Sequence, residues 1–557
     1  MEQKSNILII DGRHSIFKKR EKIGTLKNKE NISEIMKSSQ LDEQSLKHIY
    51  SIENGFKFYI LLPTKSQTKI SFYQSLRKEY PNLLDQSSSN NVFIQDLLFQ
   101  DLQKEITNIL EKENQNSSIE SVSIVSHNLF KFQYDFANKN YPVFKILMSC
   151  FSQEYNKRRQ LECDSYAKNL VDYHASNIFQ LPSAVNFLYK LNEQQQNEES
   201  HQKIYNIGYF FDYSKQSQMN TYTITNANYP YKFTPLDFRL PYDGDFPPYG
   251  KDANDNRTIN LIIHKFQDVY KDKTEKGQSL IQQYESNFQN FLQKFKSQLI
   301  IIDDTLKQDK IRSRIDFDNE FQNLLNSQQA KQILSKYPQH FVSTPKIFPF
   351  DPKTQDIEEF ISRVEKQAIF PIIVKTVVAT CSKESHFMAL VHNINSLKKF
   401  LLDSPLAGYN VIIQEMINHD NRINKIYVIG NHTEIQARVS IPNIDVEQYK
   451  DKDDAVWTFD SQKGFKEQLP IQVPDKLENP NSTLQKDLIQ DLSKLIRDYF
   501  NLNIFGYDIV QRTGTQEYYI VDINYFPGFK NFNDVNGKFV SLYKDLITKS
   551  QQKQQQN

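Results

Sequence analysis

The chain has 557 residues and a mass of 65.7 kDa, with 68 basic and 67 acidic side chains for a formal net charge of +1. At about 100–200 residues per domain that length calls for three or four domains, and the balance of charge excludes wholesale nucleic-acid or membrane binding driven by net electrostatics. Three cysteines, Cys150, Cys163 and Cys381, are too few and too scattered for a disulfide framework or a zinc knuckle, which fits a reducing, cytoplasmic setting. The opening MEQKSNILIIDGRH does not read as a signal peptide, and no run approaches the ~18 apolar residues of a membrane span. With 38% hydrophobic residues and mean hydropathy -0.63, the core draws heavily on 30 Tyr and 39 Phe. The 14 glycines never fall two or four apart, so GxGxxG and GxSxG are absent; Gly244 and Gly250 are spaced too widely for a P-loop, and HExxH is missing.

In chain order, NILII and FKFYILLP read as strands, with helices expected around 98–110 and 166–191. Residues 1–190 thus form an N-terminal α/β extension without recognisable chemistry; Asp11, at the end of its strand, reads as a loop acid. The polar stretch LNEQQQNEESHQK, 191–203, reads as a linker. Then KIYNIGYFF opens a second α/β unit, with a polar, Pro-containing excursion over 212–258, strand LIIHKF, a helix over 279–298 and strand LIIIDD. Alternation of this kind favours a parallel sheet with ligands at the strand carboxyl ends. From Phe370 onward strands dominate: IFPIIVKTVVA, YNVIIQEMI, INKIYVIG, TEIQARVSI and the pair YDIV and YIVDIN. The polar tail, 546–557, reads as disordered.

YDIV and YIVDIN each hold an acid within an apolar strand, an expensive placement unless a cation neutralises it. RTGTQ between them reads as a hairpin turn centred near Thr515. Asp508 and Asp522 then lie opposite each other on one face, and Asn524 joins them. Two carboxylates and an amide oxygen suit a hard ion such as Mg²⁺.

Three segments, IFPIIVKTVVATCSKESHFMALV, VIIQEMINHDNRINKIYVIG and NIFGYDIVQRTGTQEYYIVDINYFPGF, closely resemble the inositol-tetrakisphosphate 1-kinase (inositol 1,3,4-trisphosphate 5/6-kinase) family, over roughly 204–545. The Q-E-x-x-x-H-x-x-R-x-x-K run is similar to the plant branch. The resemblance implies an ATP-grasp kinase core, with an N-terminal lobe on the inositol phosphate side over 204–315 and central and C-terminal lobes over 316–545. It also implies roles. Lys375 would reach ATP phosphates, with Arg314 as a second contact and Arg312 as its rival. Gln414, Glu415, Met416 and Ile417, in the stretch running to Lys425, would hold adenine, and Ser440 and Arg438 match further nucleotide contacts approximately. Lys215, Lys265, His386, Asn524 and Gly528 would bind inositol phosphate, Lys425 would serve both ligands, and Asp508, Asp522 and Asn524 would hold Mg²⁺. The resemblance places Lys375, Lys425 and His386 at the catalytic centre.

Thr380 and Cys381 depart from the family pattern, where many relatives have an acid or His followed by Gly, and Val377 replaces a residue that is basic in some relatives. The expected protein is a monomeric ATP- and Mg²⁺-dependent kinase acting on inositol polyphosphates. A different ATP-grasp ligase and a silent inositol phosphate sensor are the competing readings. The opening LIIDGRHSIF resembles the start of an additional N-terminal domain in some plant relatives, a degenerate haloacid-dehalogenase-like fold.

Overall fold

A computed structural model describes residues 4–11, 56–63, 92–97, 102–116, 118–126, 141, 143–148, 173–175, 181–196, 203–211, 224, 229–236, 238, 259–266, 275–295, 299–378, 384–452, 455–461, 463–479, 483–529 and 531–556. The chain divides into two compact units: 1–264 with 279–300, and 265–278 with 301–557.

In the first unit a six-stranded sheet has the order β3-β2-β1-β4-β5-β6. Its members are β1 (Lys4–Asp11), β2 (Phe56–Pro63), β3 (Val92–Leu97), β4 (Ser118–Ser126), β5 (Val143–Met148) and β6 (Tyr173–Ala175). Every neighbouring pair is parallel. Helices α1 (Leu102–Asn116) and α2 (Leu181–Gln196) accompany it. A second sheet has β7 (Tyr205–Phe210) parallel to both β8 (Tyr231–Pro235) and β9 (Ile259–His264). Its remaining member is the short β10 (Ile300–Ile301). Helix α3 (Glu275–Phe295) packs here through Phe288 and Phe291, whose rings lie 4.8 and 5.2 Å from that of Phe238.

Two expectations need correction. Within the helix expected over 166–191, residues 173–175 form the strand β6 instead, because they hydrogen-bond alongside β5, while 181–191 are helical in α2. Helix α2 continues to Gln196 through half of the expected linker. The two sheets of this unit also meet: the Phe233 N–H donates to the Tyr173 hydroxyl at 3.4 Å, and Lys232 lies over the Tyr173 ring. The two compact units divide after His264 and at Ile300, and within the first unit one sheet precedes the stretch 191–203 and the other follows it.

The second unit holds two five-stranded sheets. One has the order β11-β20-β19-β16-β17, from β11 (Phe341–Ser343), β16 (Arg422–Ile429), β17 (His432–Val439), β19 (Ile504–Gln511) and β20 (Glu517–Tyr525). The other, β12-β15-β13-β14-β18, comprises β12 (Ile347–Phe350), β13 (Ile372–Thr376), β14 (Phe387–Val391), β15 (Val411–Glu415) and β18 (Val456–Asp460). Around them lie α4 (Thr305–Asp309), α5 (Arg314–Asn326), α6 (Gln328–Leu334), α7 (Ile357–Gln367), α8 (Ile394–Asp403), α9 (Lys486–Phe500) and α10 (Val535–Gln556). Helix α9 buries Leu488, Ile489, Leu492, Leu495 and Ile496, the three-and-four spacing of one helical face. It ends on Asn501 in the left-handed region, whose N–H caps the Arg497 carbonyl. Helix α10 runs through Gln556, so most of the stretch expected to be a disordered tail is helical.

Candidate active site

The hairpin that carries the acids forms as expected, but by a route the sequence does not display. Near the turn Gln511 pairs with Tyr518 and Ile509 with Ile520; continued evenly, that register would set Val521 opposite Asp508. A bulge between Asp508 and Ile509 shifts it by one, so Asp508 faces Asp522 and Gly506 faces Asn524. Bulges re-aim side chains in this way. Asn524 Nδ2 lies 3.3 Å from Asp522 Oδ2, so the three oxygen-bearing side chains form one group.

Cations converge on it. Lys425, the cross-strand partner of Asp508, donates from Nζ to both of its carboxylate oxygens at 2.9 Å. Burial works against the Lys425 ammonium, but Asp508 outweighs it and holds the lysine above its usual range. Burial in turn pushes the Asp508 carboxyl up, against Lys425, with the charge of Asp522 adding to the push.

Arg314 is the first residue of α5, set there by Ser313, whose hydroxyl accepts from the Asp316 N–H. It is 7% exposed, donates from Nη1 to the Thr376 carbonyl at 2.7 Å and brings Nε to 3.4 Å from Asp522 Oδ1. Its rival Arg312 is at the surface, paired with Asp309.

Lys375, 5% exposed on β13, donates to Gln414 Oε1 at 2.7 Å and to the Val521 carbonyl at 3.3 Å. Val521 is the residue that the bulge leaves over, so the same irregularity aligns the acids and presents a carbonyl to Lys375. Burial, then the neighbouring Arg314 charge, hold Lys375 down to about 8. Lys375 and Arg314 thereby tie the two sheets of this unit together.

The stretch after β15 is braced from behind. The Met416 N–H donates to the Pro371 carbonyl at 3.1 Å, and Glu415 Oε1 lies 3.4 Å from Arg512 Nη2. His419 is kept neutral chiefly by burial. Its Nδ1–H donates to the Ile417 carbonyl and its Nε2 accepts from the Ser440 hydroxyl at 2.8 Å. Ser440 thus faces His419. Ile417 packs with Val510 and Tyr519 into an apolar patch.

His386 closes a 3-10 turn at the start of β14, two strand positions before Met388, on the same sheet as Lys375. Lys265 Nζ donates to the Phe526 carbonyl at 3.0 Å, in the loop that contains Gly528. Lys215, Thr380 and Cys381 lie outside the described residues. Arg438 donates from Nη2 to the Tyr427 hydroxyl at 2.8 Å, on the strand face shared with Lys425. His419, Arg512 and Tyr427 were not singled out from sequence; for His419, its fixed place in the Q-E-x-x-x-H run was the available signal.

Against known proteins, residues 338–545 match the model of the inositol 1,3,4-trisphosphate 5/6-kinase ATP-grasp domain. This region is similar to that family. Inositol-tetrakisphosphate 1-kinase 1 of Arabidopsis thaliana is 29% identical over 32% of this chain and 55% of its own length. Inositol-tetrakisphosphate 1-kinase 6 of Oryza sativa subsp. indica is 32% identical over 30% of each. The chain thus spans about half of the first relative and under a third of the second. D-alanyl-alanine synthetase A from Vibrio cholerae O1 overlays with a TM-score of 0.36 at 11% identity, covering 63% of this chain and 99% of that one, too loosely to carry weight. The 5/6-kinase family match begins after Arg314 and Lys265, which join the site through side-chain contacts with matched residues.

Among the described residues no group of three or more His, Cys, Asp or Glu side chains gathers as a metal site. The expected set is instead two carboxylates and an amide. It fits a hard divalent ion: all three can offer oxygen, and the facing acids carry a repulsion that a second charge would relieve.

Proposed function

We propose that the protein is an ATP- and Mg²⁺-dependent kinase that phosphorylates a hydroxyl of inositol tetrakisphosphate at position 1, of inositol 1,3,4-trisphosphate at position 5 or 6, or of both. The observation that carries this reading is the convergence of Arg314, Lys375 and Lys425 on the facing pair Asp508 and Asp522, all but Arg314 within the segment that matches the kinase-family model.

Phosphoryl transfer asks little covalent chemistry of a protein; it asks for alignment and for positive charge where the transferring group spreads its own. Lys375 and Arg314 would hold nucleotide phosphates, while the base would lie along 414–417 against the apolar patch around Ile417. Lys425 would lie between nucleotide and acceptor. Lys215, Lys265, His386, Asn524 and Gly528 would take the acceptor phosphates, through charge-assisted hydrogen bonds where the side chain is cationic. Mg²⁺, held by Asp508, Asp522 and Asn524, would neutralise charge on the nucleotide phosphates. Lys425, which donates to both oxygens of Asp508, would share that carboxylate with Mg²⁺. We take the protein to act as a monomer, and the scattered cysteines support a cytoplasmic setting. No helix among the described residues is long and apolar enough to cross a membrane.

The test is ADP release by the full chain with ATP and Mg²⁺ against inositol tris-, tetrakis- and hexakisphosphates. Release on the tris- or tetrakisphosphates is expected. Nucleotide binding without release on any of the panel would favour an ATP-grasp ligase or a silent sensor.

A further inference from the structure

Side chains alternate along a strand, so Asn424 faces the side of the sheet opposite Lys425 and the carboxylates. On that side it lines a cleft of about 620 Å³, within the range of small-molecule sites, roughly 300–1,000 Å³.

One wall is rigidly built. Asn443 Oδ1 accepts from the N–H groups of His419 and Asp420, at 2.9 and 2.8 Å. Asn443 Nδ2 donates to Asp420 Oδ1 and to Thr513 Oγ1, at 2.7 and 3.0 Å, and the Thr513 hydroxyl donates back to Asp420. Asn424 stands apart from this satisfied network. It is 1% exposed, and neither its carboxamide oxygen nor its NH₂ group has a hydrogen-bond partner. An amide buried with both ends unmatched is costly and rare in a native interior, so it marks a place where something else completes the bonding.

We propose that this cleft is a second ligand site, for a small neutral molecule that presents a donor and an acceptor side by side, as a nucleobase edge or a heterocyclic carboxamide does. Asn424 is its bidentate anchor, the way asparagine pairs with an adenine edge. The charge of the lining argues for a neutral ligand. Arg422, Arg512 and Lys476 are set against Asp420 and Glu478, and Arg512 is already paired with Glu415 and Glu517. A polyphosphate finds little net attraction here, in contrast to the cation-lined face on the other side of the sheet. The inference does not depend on the kinase reading.

The test is saturation-transfer NMR on the full chain with adenosine, cytidine and nicotinamide as probes, in the presence of saturating ATP to block any nucleotide site at the carboxylate face. At least one probe should show transfer that survives ATP. Its Kd should rise at least about tenfold in Asn424→Leu, a loss of ~1.4 kcal/mol. Leucine keeps the branched shape of asparagine at a larger volume and removes both orphaned groups; should it fail to fold, the smaller Asn424→Val, which also removes them, gives the same comparison. Absence of transfer from all three probes would overturn the proposal, trapped water being then sufficient for the amide. So would transfer that the substitution leaves unchanged.

Discussion

Lys375 is buried beside a guanidinium, and that makes its charge conditional. Burial and Arg314 hold it down to about 8, whereas phosphate oxygens would favour the ammonium. ATP binding at pH 8.5 should therefore take up a fraction of a proton, and at pH 7 almost none; calorimetry in buffers of different ionisation enthalpy measures it. Equal uptake at both pH values would contradict the assignment. The effect on stability has the matching sign. Between about pH 8 and the ordinary lysine pKa near ~10.4, the unfolded chain binds more protons than the folded one, so this group makes stability rise with pH there.

Asp522→Asn removes the charge that faces both Arg314 and Asp508. It should lower turnover by at least ~100-fold while leaving the thermal melt close to wild type. Wild-type turnover would remove Asp522 from the metal set. The acids and Asn524 were legible in sequence because strand alternation and polarity combine there. The burial of Arg314 and the exposure of Arg312 were not, since they depend on which one a helix cap points inward. Nor was the engagement of Lys265 with a main-chain carbonyl, which no pattern of residue types encodes.

At the scale of elements, the bulge and the entry to β19 set the register of the acids. Asp303, fully buried, accepts from the Asn503 N–H at 2.7 Å, from Asn503 Nδ2 at 2.9 Å and from the Ile504 N–H at 2.8 Å, pinning the first residue of β19. Asp303→Ala leaves those donors unmatched and should cost about 3 kcal/mol in denaturant melts; a loss below ~1 kcal/mol would mean water replaces it. Gly506 lies opposite Asn524, and a Cβ there would meet Pro527 Cγ at 3.0 Å and the Ile426 carbonyl at 3.1 Å. Gly506→Ala should therefore destabilise by ~1–3 kcal/mol. It should also raise KM for the acceptor more than for ATP, because Pro527 adjoins Gly528; an ATP-only effect would refute that coupling. The strands from Phe370 onward were readable because apolar, β-branched runs are punctuated by turns. The helix expected over 166–191 was not, because a three-residue edge strand such as β6 exists only through its partner β5. The tail misled for a related reason: glutamine and lysine read as disorder by composition, yet both are good helix formers continuing an established helix.

Across the whole molecule, net charge is uninformative about the site. A chain of +1 can present Arg314, Lys375 and Lys425 to one sheet face because clefts focus local charge. All three, with the acids, lie in the second unit, and the first contributes six parallel strands whose own chemistry the sequence does not reveal. Composition located a polar stretch at 191–203, but contacts between β6 and β8 hold the chain on its two sides in one unit, and tertiary contacts of that kind leave no trace in local polarity. The central claim is phosphoryl transfer to an inositol polyphosphate hydroxyl. Its most direct test is ³¹P NMR of the product formed from inositol tetrakisphosphate, ATP and Mg²⁺ by wild type beside Asp522→Asn. A new phosphate monoester at one ring position with wild type, and none with the variant, is the expected result; ATP bound by both with no phosphorylated inositol from either would contradict it.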